Sequence, residues 1–385
     1  MFHRLIKPLK SNSFFLFGAR GTGKTTFLRQ FFKEEKVIWI DLLDPIIEDQ
    51  LTLKPESLSQ QIKAQEGKIN WVVLDEVQKI PRLLDIAHHH IETSNLKFAL
   101  TGSSARKLKG GAANLLAGRA FVNHLFPLTH IEMGNAFDEM TAMKFGTLPK
   151  VTQFNNDDER VAFLKAYALT YLKEEVWAEH IVRNLEPFRK FLEIAAQSNG
   201  EVINYTNIAR DVGADTKTVQ SYFQILEDTL IGFLLEPYYK SVRKQQRHNP
   251  KFYFFDIGVK RALDRTITQE LIPNTYGFGK LFEHLVIIEA IRLNDYKKKD
   301  YRFYYLLTKD RAEIDLIVER PGLPTALVEI KSAERIDERS TNIIERFVKD
   351  MPNTEGYCFS RDPVPKTIGS VSVLPWLEGL QAIGL

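Results

Sequence analysis

The sequence predicts an α/β protein that opens on a parallel sheet, passes through a helical and winged-helix module, and ends in an α+β domain. Three observations predict it. The apolar run "SFFLF" (13–17) leads directly into a glycine loop, "GARGTGKTT" (18–26), and then into an amphipathic stretch. A second apolar run, "WVVLDE" (71–76), ends in two acids. Far downstream, "EIDLIVE" and "TALVEIKSA" flank the turn "RPGLP", the pattern of a hairpin. A chain of 385 residues is a soft prior for two or three domains. The boundaries read from composition and pattern are 1–127, a helical lid or linker over 128–185, a winged-helix module over 186–255, and 256–385.

The first element is a buried strand because five apolar or small residues run together and stop at glycine. The next is a helix, because Phe27, Leu28, Phe31 and Phe32 recur at helical spacing. Between them Gly18, Gly23, Lys24 and Thr25 fit G-x-x-x-x-G-K-[ST], in the strand–loop–helix context that gives this motif its meaning. Glycines let backbone N–H groups turn inward as an anion nest, and the helix start adds partial positive charge. Lys24 is expected on the β- and γ-phosphates and the Thr25 hydroxyl on Mg²⁺, with Gly21 and Thr26 completing the nucleotide contacts. In "WVVLDE", Asp75 is expected to hold Mg²⁺ and Glu76 to polarise the attacking water. A third strand, "KFALTGSSA", ends in Thr101, Ser103 and Ser104, polar tips suited to sensing the γ-phosphate. Arg119 and Arg106 are the candidate arginine fingers. The implied cofactors are ATP and Mg²⁺. The triplet His88-His89-His90 falls in a helix, where adjacent side chains diverge and do not share one metal.

The middle segment begins near Phe126. Val161, Leu164, Tyr167 and Ala168 recur with a helical period, suiting a lid or arm. Further on, "YTNIARDVG" and "TKTVQSYFQILEDTL" meet across "VGAD" as a helix-turn-helix, with Thr216 as the expected N-cap. The run "IGFLLEPYYKSVRKQQRHNPKFYFFD" then reads as a wing hairpin. Its basic tip, Lys240, Arg243, Lys244, Arg247 and Lys251, suits contact with a phosphate backbone. Lys217 and Gln220 are the available readers at the start of the second helix, which points to non-specific DNA binding rather than sequence readout.

The last segment carries a second constellation. "GKLFEHLVIIEAIRL" is a helix with Glu283 among apolar positions. A hairpin symmetric about Gly322 sets Asp315 opposite Glu329, and Lys331 shares a face with Glu329. Carboxylates so grouped suit Mg²⁺ or Mn²⁺, which would activate water for phosphodiester cleavage, with Lys331 positioning the nucleophile. Asp315, Glu329 and Glu283 are therefore the expected metal ligands, and Asp315, Glu329 and Lys331 the expected catalytic groups. The D…E-x-K spacing resembles the PD-(D/E)XK, restriction-endonuclease-like nuclease fold.

Composition excludes little. Hydrophobic residues make up 44% and charged residues 26%, ordinary for a globular chain, and a net charge of +3 neither requires nor opposes a nucleic-acid partner. The single cysteine, Cys358, rules out an internal disulfide framework. No apolar run approaches the roughly 18 residues of a membrane helix. A cytoplasmic protein with no membrane partner is expected.

Taken together, "LDEVQKIP", "LTGSS", "LAGRA" and "LFPLT", followed by "YLKEEV", "KFYFFDIGVK" and "EIDLIVE…LVEIKSA", resemble bacterial and archaeal AAA-type P-loop ATPases (AAA_14) with a C-terminal DUF4143 region, in the same order and over nearly the whole chain. Ala19 stands where members commonly have Pro. The resemblance implies a P-loop NTPase sheet of ASCE/AAA type, ATP hydrolysis, and a homo-oligomer if the arginine finger acts in trans. It leaves three functions open: an ATPase coupled to a winged helix and a nuclease-like domain acting on DNA, an ATP-gated protein-interaction switch with an inactive nuclease fold, and an ATP-modulated DNA-binding regulator.

Overall fold

The structure is a computed structural model and describes residues 2–103, 118–171, 185–239 and 249–385. Ser104, Arg106, Lys240, Arg243, Lys244 and Arg247 lie outside the described residues. The chain divides into two compact units: 1–128 with 148–150 and 225–231, and 129–147 with 151–224 and 232–385.

The first unit is built on parallel strands β1 (Ser13–Phe17), β2 (Val37–Asp41), β3 (Trp71–Asp75), β4 (Lys97–Gly102) and β5 (Ala120–His124), in the order β2-β3-β4-β1-β5. β1 and β3 are buried along their whole length, as central strands covered on both faces must be. One face packs Phe15, Ile38, Val72, Leu74, Phe98 and Leu100 against Leu51, Leu58, Ile62, Leu83, Leu84 and Ala87. These last come from the helices α2 (Pro45–Leu53), α3 (Ser57–Ala64) and α4 (Leu83–Thr93). On Phe14 of β1 and Trp71 of β3 sits the helix α1 (Lys24–Phe31) with the residue that ends it, Phe32; the Phe32 and Trp71 rings are 5.0 Å apart. The chain leaves β1 for the far edge of the sheet and returns through β3 to β4 at its side. The carboxyl ends of β1, β3 and β4 therefore meet at the switch point, where open α/β sheets bind ligands.

The second unit holds a mixed sheet of β6 (Gly232–Pro237), β7 (Lys251–Phe254), β8 (Arg302–Leu307), β9 (Glu313–Glu319), β10 (Thr325–Lys331), β11 (Thr354–Ser360), β12 (Lys366–Ile368) and β13 (Val371–Pro375). The order is β12-β13-β11-β10-β9-β8-β6-β7. The β8-β9-β10 meander is antiparallel, whereas β10, β11 and β13 run parallel. The helix Tyr276–Lys297 packs on β10, and the helix Glu338–Asp350 covers β9, β10 and β11 with Ile344 in a core of Ile314, Ile317, Leu327, Cys358 and Val373.

Two expectations are corrected here. The β6–β7 hairpin is not a free wing: Glu236 and Pro237 pair in parallel with Tyr304 and Tyr305, so the hairpin forms one edge of the large sheet. An unpaired strand edge seeks a partner, and β8 supplies it. The second helix of the helix-turn-helix, Thr216–Asp228, is capped by Asp215 rather than Thr216. The Asp215 carboxylate accepts from Thr218 N at 2.8 Å and from the Thr218 hydroxyl at 2.7 Å, a stronger cap than a lone hydroxyl one residue later. The turn before it uses Gly213 at φ 71°, and the two helices pack through Tyr205 and Phe223 rings 5.8 Å apart. Among the described residues no helix is long and apolar enough to cross a membrane.

Candidate nucleotide site and acidic cluster

The glycine loop leaves β1 where only a backbone without a side chain fits. A Cβ on Gly18 would lie 2.3 Å from the Leu125 carbonyl oxygen. Gly21 (φ 80°) and Gly23 (φ 93°) take left-handed conformations, and Gly23 sits directly before α1. Lys24 is buried; its ammonium donates to Gly18 O at 2.8 Å and lies 3.5 Å from a Glu76 carboxylate oxygen. Thr25 donates to Asp75 Oδ2 at 2.7 Å, and the Thr101 hydroxyl donates to Asp75 Oδ1. Thr101 also accepts from Glu76 N at 2.8 Å. Fully buried and spent on these two bonds, Thr101 orients the acid from behind. Thr26 is exposed in the first turn of α1.

Burial raises Asp75 above the usual carboxylate range, against the pull of its bonds from Thr101 and Thr25. Burial would also raise Glu76, but the Lys24 charge and a hydrogen bond from Gln78 outweigh it and hold Glu76 low. Glu76 is thus a carboxylate, carried at φ 61° on a strained turn that lifts it off the end of β3. A hydroxyl and a fully buried carboxylate 2.7 Å apart, beside a glycine nest, are a fitting donor set for Mg²⁺ with a polyphosphate. Ser103 is buried at the tip of β4, 3.3 Å from Gln78 Nε2. Arg119 pairs with Glu92 of α4.

Three residues here escape motif reading. Arg4, nine-tenths buried, donates to Thr22 O at 2.8 Å and to Phe126 O at 2.6 Å, tying the loop to the end of the domain. Gln78 donates to both Glu76 and Ser103. Gly102 leaves the space for it, since a Cβ there would sit 2.8 Å from Gln78 Oε1. The sequence signals were a basic amino end, the glutamine of "LDEVQKIP" and the glycine of "LTGSS".

In the second unit, Leu316 pairs with Val328 and Ile317 with Leu327, a register that carries Asp315 opposite Glu329. Asp315 Oδ2 accepts from Ile330 N at 2.7 Å, and Glu329 pairs with Lys331. Glu283 accepts from Tyr253 OH at 2.6 Å and lies 3.1 Å from Lys280 and 3.4 Å from Lys251. Lys251 was expected at a solvated basic tip; it is instead 1% exposed and paired with both Glu283 and Glu313, because β7 draws it into the sheet. Burial, then Glu329 and Glu283, push Asp315 well above the carboxylate range; burial likewise raises Glu329. Among the described residues no three His, Cys, Asp or Glu side chains are grouped to hold a metal ion. With Glu283, Asp315 Oδ2 and Glu329 Oε1 already on ammonium, phenol and amide donors, these acids do not fit a divalent cation. Lys217 is exposed at the start of its helix.

Comparison with known proteins matches three stretches. Residues 10–134 match the AAA_14 model, an AAA domain; 138–270 match DUF8612 and 278–378 match DUF4143, both domains of unknown function. An uncharacterised protein of Mycobacterium tuberculosis is 26% identical over 311 residues, 80% of this chain and 68% of its own. One of Methanocaldococcus jannaschii is 23% identical across 97% of this chain and 85% of its own. Among solved structures, a Walker-type ATPase of Pyrococcus abyssi aligns with TM-score 0.43 at 15% identity over 65% of this chain and 90% of that one. The Orc1 protein of Aeropyrum pernix, solved in complex with DNA, aligns with TM-score 0.30 at 13% identity, over 67% and 87%. The chain thus carries an AAA-type P-loop ATPase domain followed by a DUF4143 domain.

Proposed function

We propose that this chain binds and hydrolyses ATP with Mg²⁺ and uses the cycle to govern its second unit. The observation that carries the reading is the Lys24–Glu76–Asp75–Thr25 constellation at the switch point of the first sheet. Thr25 and Asp75 would hold Mg²⁺, which neutralises charge developing on the β- and γ-phosphates. Lys24 leaves Gly18 O and Glu76 for the phosphates. Glu76, released but still held by Gln78, accepts a proton from the attacking water. Catalysis of this kind rests on position and charge, so losing one group costs at least on the order of 10²-fold in turnover. Steady-state ATP hydrolysis by Lys24→Ala and Glu76→Gln beside the wild type tests it. Loss in both is expected, with ATP binding retained in Glu76→Gln; unchanged rates overturn the assignment. Arg119 as a finger acting from a neighbouring copy belongs to this reading, and a turnover that does not rise with protein concentration removes it.

For the second unit, the β8–β10 meander continued in parallel by β11, with D…E-x-K across β9 and β10, supports a nuclease-like fold. The lysine pairing of its acids favours the form without cleavage, an ATP-gated switch over a metal-dependent nuclease. Exposed Lys217 and the sequence positions Lys240, Arg243, Lys244 and Arg247 support non-specific DNA as a partner. A binding titration steep in salt and blind to sequence is expected, and a sequence-specific footprint would favour the regulator instead.

A further inference from the structure

We infer that the ammonium of Lys251 is the resident cation of the acidic site formed by Glu283 and Glu313 beside Asp315, standing where a divalent ion would otherwise sit. The inference does not depend on the ATPase reading, since every residue involved belongs to the second unit. Lys251 is among the largest fully buried side chains, and no solvent pulls its charge outward. It pairs with Glu313 of β9 and lies 3.4 Å from Glu283, so strands β7 and β9 and the helix Tyr276–Lys297 converge on one nitrogen. Lys280 lies 3.1 Å from Glu283, and Lys331 pairs with Glu329.

Three ammoniums already serve these acids without a metal. Glu283, Glu313, Asp315 and Glu329 face Lys251, Lys280 and Lys331, and Lys280 also meets Glu201 at 3.3 Å. Adding a divalent ion to this set would place two further positive charges beside the buried Lys251 ammonium and the partly exposed Lys280 and Lys331. That repulsion is severe in a poorly solvated site.

The test uses the full chain without nucleotide, titrated with MnCl₂ by calorimetry and followed by thermal unfolding. Wild type and Asp315→Asn are expected to give superimposable Mn²⁺ isotherms, any weak uptake at Asp75 being common to both. Lys251→Met is expected to uncover the acids and gain an Mn²⁺-dependent rise in Tm of about 3 °C or more, which Lys251→Met with Asp315→Asn lacks. Should Lys251→Met fail to fold, Lys251→Gln keeps a polar tip and takes its place. Mn²⁺ uptake by the wild type that Asp315→Asn abolishes overturns the inference. So does Mn²⁺-dependent DNA cleavage lost in Asp315→Asn, or a folded Lys251 variant that gains no response to Mn²⁺.

Discussion

Arg4 provides the sharpest check on how the nucleotide loop is held. Its guanidinium reaches two backbone carbonyls, Thr22 O at 2.8 Å and Phe126 O at 2.6 Å, and it is 9% exposed. A hydrogen bond from a charged donor is worth about 1.5–3 kcal/mol net, and truncation strands the acceptors in the interior. Arg4→Ala therefore removes about 3–6 kcal/mol of interaction. Part of it appears as lower stability of the first unit. The part that orders Thr22 and its neighbours must be recovered on binding, and about 1.4–2.8 kcal/mol there weakens ATP affinity roughly 10- to 100-fold. Arg4→Lys should restore only part of the loss, because an ammonium lacks the fork that spans both oxygens. Calorimetry with a non-hydrolysable ATP analogue in magnesium buffer, beside thermal unfolding, separates the two effects. If folded Arg4→Ala binds the analogue within about threefold of the wild type, the clamp does not preorganise the loop and the reasoning fails.

Other consequences are equally direct. Gly18→Ala forces a Cβ to 2.3 Å from Leu125 O, a backbone atom that cannot swing away; a loss of about 2 kcal/mol or more in unfolding free energy, with weakened ATP binding, is expected. Gln78→Leu removes the donor that steadies Glu76. Turnover should fall roughly tenfold with ATP affinity nearly unchanged, and a rise in KM alone would show that Gln78 serves binding instead. His284 is fully buried, set between Phe254 O at 2.6 Å and Asn199 at 3.3 Å, and burial holds its imidazole down at about 3. The unfolded chain titrates near 6.5, so between about 6.5 and about 3 it binds the extra proton. Stability is then complete above that window and falls with decreasing pH, by at most about 5 kcal/mol from this group. Tm against pH should slope less in His284→Gln than in the wild type, and parallel slopes would remove His284 as the cause.

The sequence by itself determined the features that are contiguous along the chain. A strand, a glycine turn and a helix start occupy residues 13–31 without interruption, so the phosphate-binding loop could be read from spacing alone. Asp75 and Glu76 were legible for the same reason, at the end of one apolar run. The pairing of Asp315 toward Glu329 followed from a short turn, because hairpin register is set locally. Only the tertiary structure decided what crosses the chain. Arg4 bonds a carbonyl 122 residues away, and no pattern near residue 4 encodes that partner. Lys251 sits in a basic stretch that reads as a solvated tip, yet β7 completes a sheet and carries it among carboxylates 32 and 62 residues on. Burial and charge pairing depend on which strands meet, and the sum of many weak non-local contacts, rather than any local spacing, sets that choice.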